Sequence, residues 1–122
     1  MRLLDSNILI YACQPEHAFL DTWMRPATAL VSAISIAEVL GYPGLTAEDE
    51  AIFEEWFAEL AVHGVTEPIL RGAATLRRQR RMKLGDSIIA ATALAIGAEL
   101  VTRNVDDFQH IAEMKIINPF EP

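Results

Sequence analysis

Short apolar runs alternate with stretches of helical periodicity along the chain, and this alternation restricts the fold more than any other feature. RLLD at 2–5, ALVSA at 29–33, the apolar stretch around 64–66, ELVT at 99–102 and KII at 115–117 read as strands. Helical patterns lie between them at 7–13, 35–41, 46–62, 67–82 and 86–97. Strands separated by helices return to the sheet by crossovers, so the expected class is α/β, a central parallel sheet flanked by helices. Residues 1–122 are expected to form one domain. The segment 46–62 predicts an amphipathic helix capped by Thr46, with Ile52, Phe53, Trp56, Phe57 and Leu60 inward and acids outward. DSIIAATALAIG at 86–97 is apolar nearly all round, which predicts a helix buried against the sheet and ended by Gly97.

Other classes are disfavoured. No run of about 18 apolar residues predicts a membrane span. The opening MRLLDSNILIYACQPEH carries Asp5 and lacks a basic leader region, so it reads as a strand entering a helix rather than a signal peptide. The one cysteine, Cys13, forbids an internal disulfide, fits a reducing cytoplasm, and is expected to pack as a small apolar residue. His17, His63 and His110 are scattered without metal-ligand spacing, and no P-loop, dinucleotide glycine motif, nucleophile elbow or CxxC is present.

The net charge of −7 argues against nucleic acid as a partner if taken whole. The charges are segregated, however. Arg71, Arg77, Arg78, Arg80, Arg81 and Lys83 hold six of the ten basic residues, just before Asp86. With a helix running through 82, Arg71, Arg77, Arg78 and Arg81 share one face, opposite Ile69, Ala73 and Leu76. That face suits a phosphate-backbone track, or equally a solvated surface paired with the acids of 46–62.

The informative acids are Asp5, Glu38, Asp86 and the pair Asp106 and Asp107. Each has a local alternative. Asp5 can start a turn, Ser35 to Glu38 matches a capping box, Asp86 can cap its helix, and Asp106 or Asp107 can form an Asx turn. Jointly they fall where strands end and helices begin, along the edge of a parallel sheet where ligands bind. Carboxylates gathered there repel, and a divalent cation relieves that cost. Hard oxygen ligands without histidine or cysteine favour Mg²⁺ or Mn²⁺ over zinc.

These acids stand in recognisable company. LLDSNILI at 3–10 resembles the opening motif of the PIN-domain family, with Ser6 in place of the usual threonine. SAISIAEVL at 32–40, GDSIIAATAL at 85–94 and LVTRNVDDF at 100–108 are similar to the second, third and fourth motifs, in the family's order. IINPF at 116–120 resembles the tail of VapC-type toxins. The resemblance implies a PIN fold with an acidic pocket for Mg²⁺ or Mn²⁺. It implies Asp5 and Asp86 as principal metal ligands, Glu38 as a ligand or holder of a water, and Asp107 as the fourth acid. Asn104 would assist, Asp106 would be a solvated neighbour, and Ser6 would orient Asp5 or a phosphate. Arg103, Arg78 and Arg81 are the candidate substrate contacts. The implied activity is hydrolysis of RNA phosphodiesters. A small cognate antitoxin, a homodimer and a cytoplasmic setting come with it. Two other readings remain: a PIN nuclease of RNA maturation or decay without an antitoxin, and a catalytically inactive PIN-like interaction module. A haloacid-dehalogenase-type phosphatase also starts from a strand-end aspartate, but it needs an acid two residues on, where Asn7 stands.

Overall fold

The computed structural model describes residues 1–121. Its centre is a five-stranded, wholly parallel sheet: β1 (Arg2–Leu4), β2 (Ala29–Ser32), β3 (Ala61–His63), β4 (Glu99–Val101) and β5 (Ile116–Ile117). The strand order is β3-β2-β1-β4-β5. The first three strands step outward in one direction, and the fourth returns to the other side of β1. The order therefore switches direction between β1 and β4, and the carboxyl ends of those two strands frame the natural ligand crevice.

Alternation along each short strand builds two cores. Leu3, Leu30 and Leu100 face one side, where α4 (Glu67–Gln79) and α5 (Leu84–Ile96) supply Ile69, Ala73, Leu76, Ile88 and Ile89. Leu4, Ala29, Val31 and Val101 face the other, against Ile8 and Leu9 of α1 (Ser6–Ala12), Val39 of α2 (Ile34–Leu40) and Phe53 of α3 (Ala47–Glu59). The α/β class with helices on both faces is as expected. Cys13 packs against the second core, and burial, with Asp49 nearby, pushes its thiol up to about 11, so it is no nucleophile at neutral pH. No helix among the described residues is long and apolar enough to cross a membrane.

Local signals explain several element ends. Thr46 caps α3, its hydroxyl accepting the Asp49 N–H at 3.1 Å. Gly97 ends α5 in the left-handed region at φ 66°, which reverses the chain directly into β4. That tight return makes α5 antiparallel to β4, so the helix's first turn lies at the sheet's carboxyl edge.

Three expectations need correction. The third strand is Ala61–His63, not 64–66, and the preceding helix stops at Glu59 rather than 62. Leu60 is already extended, and Ala61, Val62 and His63 pair with Leu30, Val31 and Ser32. Ladder bonds to β2 outweigh a helical period that the apolar run would also have satisfied. The fourth helix ends at Gln79, not 82, because Arg80 turns extended and the segment bends to bury Met82. Arg81 therefore lies off the helix, and the proposed face of Arg71, Arg77, Arg78 and Arg81 is broken. Finally, α5 begins at Leu84 with Lys83 as its cap, so Asp86 sits inside the first turn. A 3-10 segment at Pro15–Trp23, which the sequence did not predict, links α1 to β2.

Candidate active site

Asp5 is the residue immediately after β1, and it is 3% exposed. It stands at the head of α1 without capping it through its side chain. Its Oδ2 instead accepts a hydrogen bond from Thr102 Oγ1 at 2.7 Å, across the strand-order switch. Thr102 Oγ1 also accepts the Asn104 N–H at 3.0 Å. The turn after β4 is thus tied to the aspartate after β1.

Glu38 comes from α2 and does not close a capping box. Ser35 lies inside that helix, which is capped by Ala33 without a side-chain bond. Ser6 Oγ donates to Glu38 Oε1 at 2.7 Å and lies 2.7 Å from Ser35 Oγ. A hydroxyl has a single proton to give, so Ser35 must be the donor to Ser6. The Ser6 hydroxyl therefore orients Glu38, while its backbone N–H serves Asp5. Gly85, at the start of α5, faces the Glu38 carboxylate so closely that an added Cβ would collide with Oε2. The glycine lets the acid of α2 approach the first turn of α5, where Asp86 sits half-buried.

The electrostatics reflect this gathering. Burial raises the Asp5 carboxyl from 3.8 to about 6, opposed by the Thr102 hydrogen bond and reinforced by the charges of Asp86 and Glu38. Burial also raises Asp86, with Asp107 the stronger of the two repelling charges, Lys83 opposing and Glu38 adding to the rise. Asp107, rather than Asp106, is the member of the last pair that Asp86 senses. Asp5, Glu38, Asp86 and Asp107 thus come from four separate elements to one edge. As they stand, no three His, Cys, Asp or Glu side chains among the described residues form an array that would enclose a metal ion. The donor set nonetheless suits a hard divalent cation: it is all oxygen, it repels itself, and one member is buried well above its ordinary pKa.

The basic candidates divide. Arg80, Arg81 and Lys83 line a cavity of about 240 Å³ together with Asp86, Asp106 and Asp107. Arg77 Nε braces that segment by donating to the Met82 carbonyl at 3.4 Å. Arg78 is exposed on α4 and lines no cavity at the acids, so the structure does not bring it to the site. The alternative pairing with the acids of α3 is absent too, since Arg71 pairs with Glu67 of its own helix and no arginine of α4 bridges to α3 among the described residues. Arg103 lies beside a second cavity of about 540 Å³, with Asn104 and Asp107 in its wall. Three residues escaped sequence reasoning. Thr102 and Ser35 bond to partners far away in the chain, and Arg80 lies just beyond a helix that the periodicity carries on to 82.

An open parallel sheet with carboxylates from four elements along its carboxyl edge defines a small α/β domain with an acidic sheet edge. The PIN domain family model matches residues 2–114, and the chain belongs to that family. It is 31% identical over 124 residues to Ribonuclease VapC10 of Mycobacterium tuberculosis, covering 94% of this chain and 91% of that protein. Among solved structures, a toxin–antitoxin complex from Klebsiella pneumoniae superposes with a TM-score of 0.80 at 28% identity, covering 100% of both chains. FitAcB from Neisseria gonorrhoeae superposes with a TM-score of 0.75 at 25% identity, again over 100% of both chains.

Proposed function

We propose that the chain is a divalent-metal-dependent endoribonuclease and the toxin member of a toxin–antitoxin pair. The observation that carries the reading is the approach of Asp5, Glu38, Asp86 and Asp107 to one sheet edge, where Asp5 and Asp86 are both pushed up by burial and by their acidic neighbours. The likeness to a named ribonuclease and to a toxin–antitoxin complex supports the substrate and the partner.

In this reading Asp5, Asp86 and Asp107 hold Mg²⁺ or Mn²⁺, and Glu38 completes the shell or holds a water. When bound, such an ion polarises the phosphoryl oxygen and makes water a stronger acid. The rest belongs to the chain. Thr102 fixes the rotamer of Asp5, and Ser35 and Ser6 fix that of Glu38, so both carboxylates are aimed before RNA arrives. Arg80, Arg81 and Lys83 face Asp86 and Asp107 across the smaller cavity, where they meet the backbone phosphates and offset the net charge of −7. Water adds across the phosphodiester in line with the departing 3′-oxygen, and the products carry a 5′-phosphate and a 3′-hydroxyl. The 2′-hydroxyl is not required as nucleophile.

The same proposal includes a homodimer, a cytoplasmic setting and neutralisation by a small antitoxin. The test is cleavage of total RNA with Mg²⁺ or Mn²⁺ by the parent, Asp5→Ala and Asp86→Ala, each freed of any partner. Loss of cutting in both variants and in EDTA is expected. Equal cutting by all three, or cutting that survives EDTA, overturns the reading. A small gene beside this one whose product binds the chain and stops cleavage supports the toxin assignment, and a solitary gene with tolerated expression opposes it.

A further inference from the structure

The larger cavity has a construction that the hydrolysis of a phosphodiester does not by itself require. Arg103 follows β4, one residue beyond Thr102. Its guanidinium carbon lies 4.1 Å from the ring centre of Phe120 and 4.9 Å from that of Tyr11. Those rings meet edge to face at 5.2 Å, and His17 and Phe19 each pack on Phe120 at the same separation. The tail is held in place as well, because Asn118 Oδ1 accepts the Phe120 N–H at 3.0 Å. Arg103 makes no ion pair among the described residues. A guanidinium seated on two rings, with no carboxylate to satisfy it, is preorganised for a phosphate or another planar anion.

The wall beside Arg103 carries Asn104, Asp106, Gln109, Asn118 and Glu121 around about 540 Å³, room enough for one nucleotide. Its chemistry is uneven. Asp106 and Glu121 only accept hydrogen bonds, while the amides of Gln109 and Asn118 both give and accept. The exposed acids repel a phosphate deep in the cavity but accept from an amino group. A nucleotide entering it would therefore place its phosphate at the Arg103 edge, with sugar and base inward.

We propose that this cavity is a subsite for the single-stranded ribonucleotide next to the scissile bond. Arg103 grips its phosphate, and Gln109 and Glu121 select a base with an exocyclic amino group over uracil. This rests on the ribonuclease reading and adds a specificity that the reading alone does not contain. Amide and carboxylate side chains discriminate bases through such edges, typically by about tenfold for one good contact.

The test uses the full chain, a random-sequence RNA pool and sequencing of the product ends. The parent is expected to disfavour uracil about tenfold at one position flanking the cut. The double variant Gln109→Ala/Glu121→Ala changes two exposed side chains that make no hydrogen bond among the described residues, and it should level that preference to within about twofold. Arg103→Lys keeps the charge but loses the seat on the rings, and it should raise KM for a preferred oligonucleotide about tenfold more than it lowers kcat. A parent that does not cut RNA at all defeats the ribonuclease reading. A parent that cuts without preference, or variants with the parent's preference and KM, overturn the subsite alone. A cavity serving a protein segment instead would leave both RNA measurements where they were.

Discussion

Replacing Asp5 by asparagine should make the metal-free protein more stable at neutral pH. The folded carboxyl titrates at about 6 against 3.8 when unfolded, a difference of about two pH units. Between those values the native state keeps a proton that the unfolded chain has released. Stability therefore falls as pH rises through this window and levels off above about 6. At 1.36 kcal/mol per unit, the penalty carried by the ionised aspartate approaches about 3 kcal/mol, as an upper figure. Asparagine does not ionise, and its carbonyl oxygen can still accept from Thr102. Urea or thermal melts of parent and Asp5→Asn in EDTA should coincide near pH 4 and diverge by pH 8. The variant's gain there corresponds to roughly 10 °C in Tm for a domain of this size. Mn²⁺ or Mg²⁺ at a hundred times the parent's Kd should then stabilise the parent by about 3 kcal/mol and the variant far less, which closes the gap between them. A difference between the two proteins that does not change from pH 4 to 8 would refute the linkage, as would a variant less stable than the parent at pH 8 in EDTA.

Other outcomes follow from the same geometry. Asp86→Asn should lower cleavage of an RNA oligonucleotide by about a hundredfold at fixed Mn²⁺ while leaving circular dichroism unchanged, since its half-buried side chain faces the cavity rather than the core. Gly85→Ala pushes a methyl into the Glu38 carboxylate; cleavage should fall about tenfold, with a change in unfolding free energy below about 1 kcal/mol because the obstructing atoms end a flexible side chain. Thr102→Val removes the donor that lowers the Asp5 pKa, so the acid limb of the kcat/KM profile should move to higher pH by about one unit. Phe108→Ala empties the space of a ring that is wholly buried against α5 and the sheet, and urea melts should show a loss of about 3–5 kcal/mol.

The sequence exposed what depends on local pattern and hid what depends on distant partners. The buried helix ending at Gly97 and the cap at Thr46 are visible because each signal lies within one turn. Asp5, Glu38 and Asp86 could be singled out because they sit where the periodicity changes. Their supports could not: Thr102 bonds Asp5 across 97 residues, and Ser6 bonds Glu38 across 32. The LAVHGV run fits helix or strand alike, and only the ladder to β2 decides that Ala61–His63 is a strand. The basic stretch 77–83 fits a continued helix by periodicity, and only the burial of Met82 turns Arg80 and Arg81 toward Asp86.

These hidden contacts concentrate at one edge for a physical reason. A buried carboxylate with acidic neighbours opposes folding, and local propensity offers nothing to offset it. The Asp5 side chain leaves its own helix uncapped and takes Thr102 as its donor; the Glu38 side chain leaves its capping box and takes Ser6. Each gives up the bond that short-range rules assign to it, at the point where repulsion between like charges is greatest. Thr102→Val and Ser6→Ala separate two explanations for that choice. If the bonds serve the fold, both variants should lose stability equally with or without divalent metal. If they aim the carboxylates, their loss should weaken metal-induced stabilisation more than stability in EDTA, which is the outcome expected here.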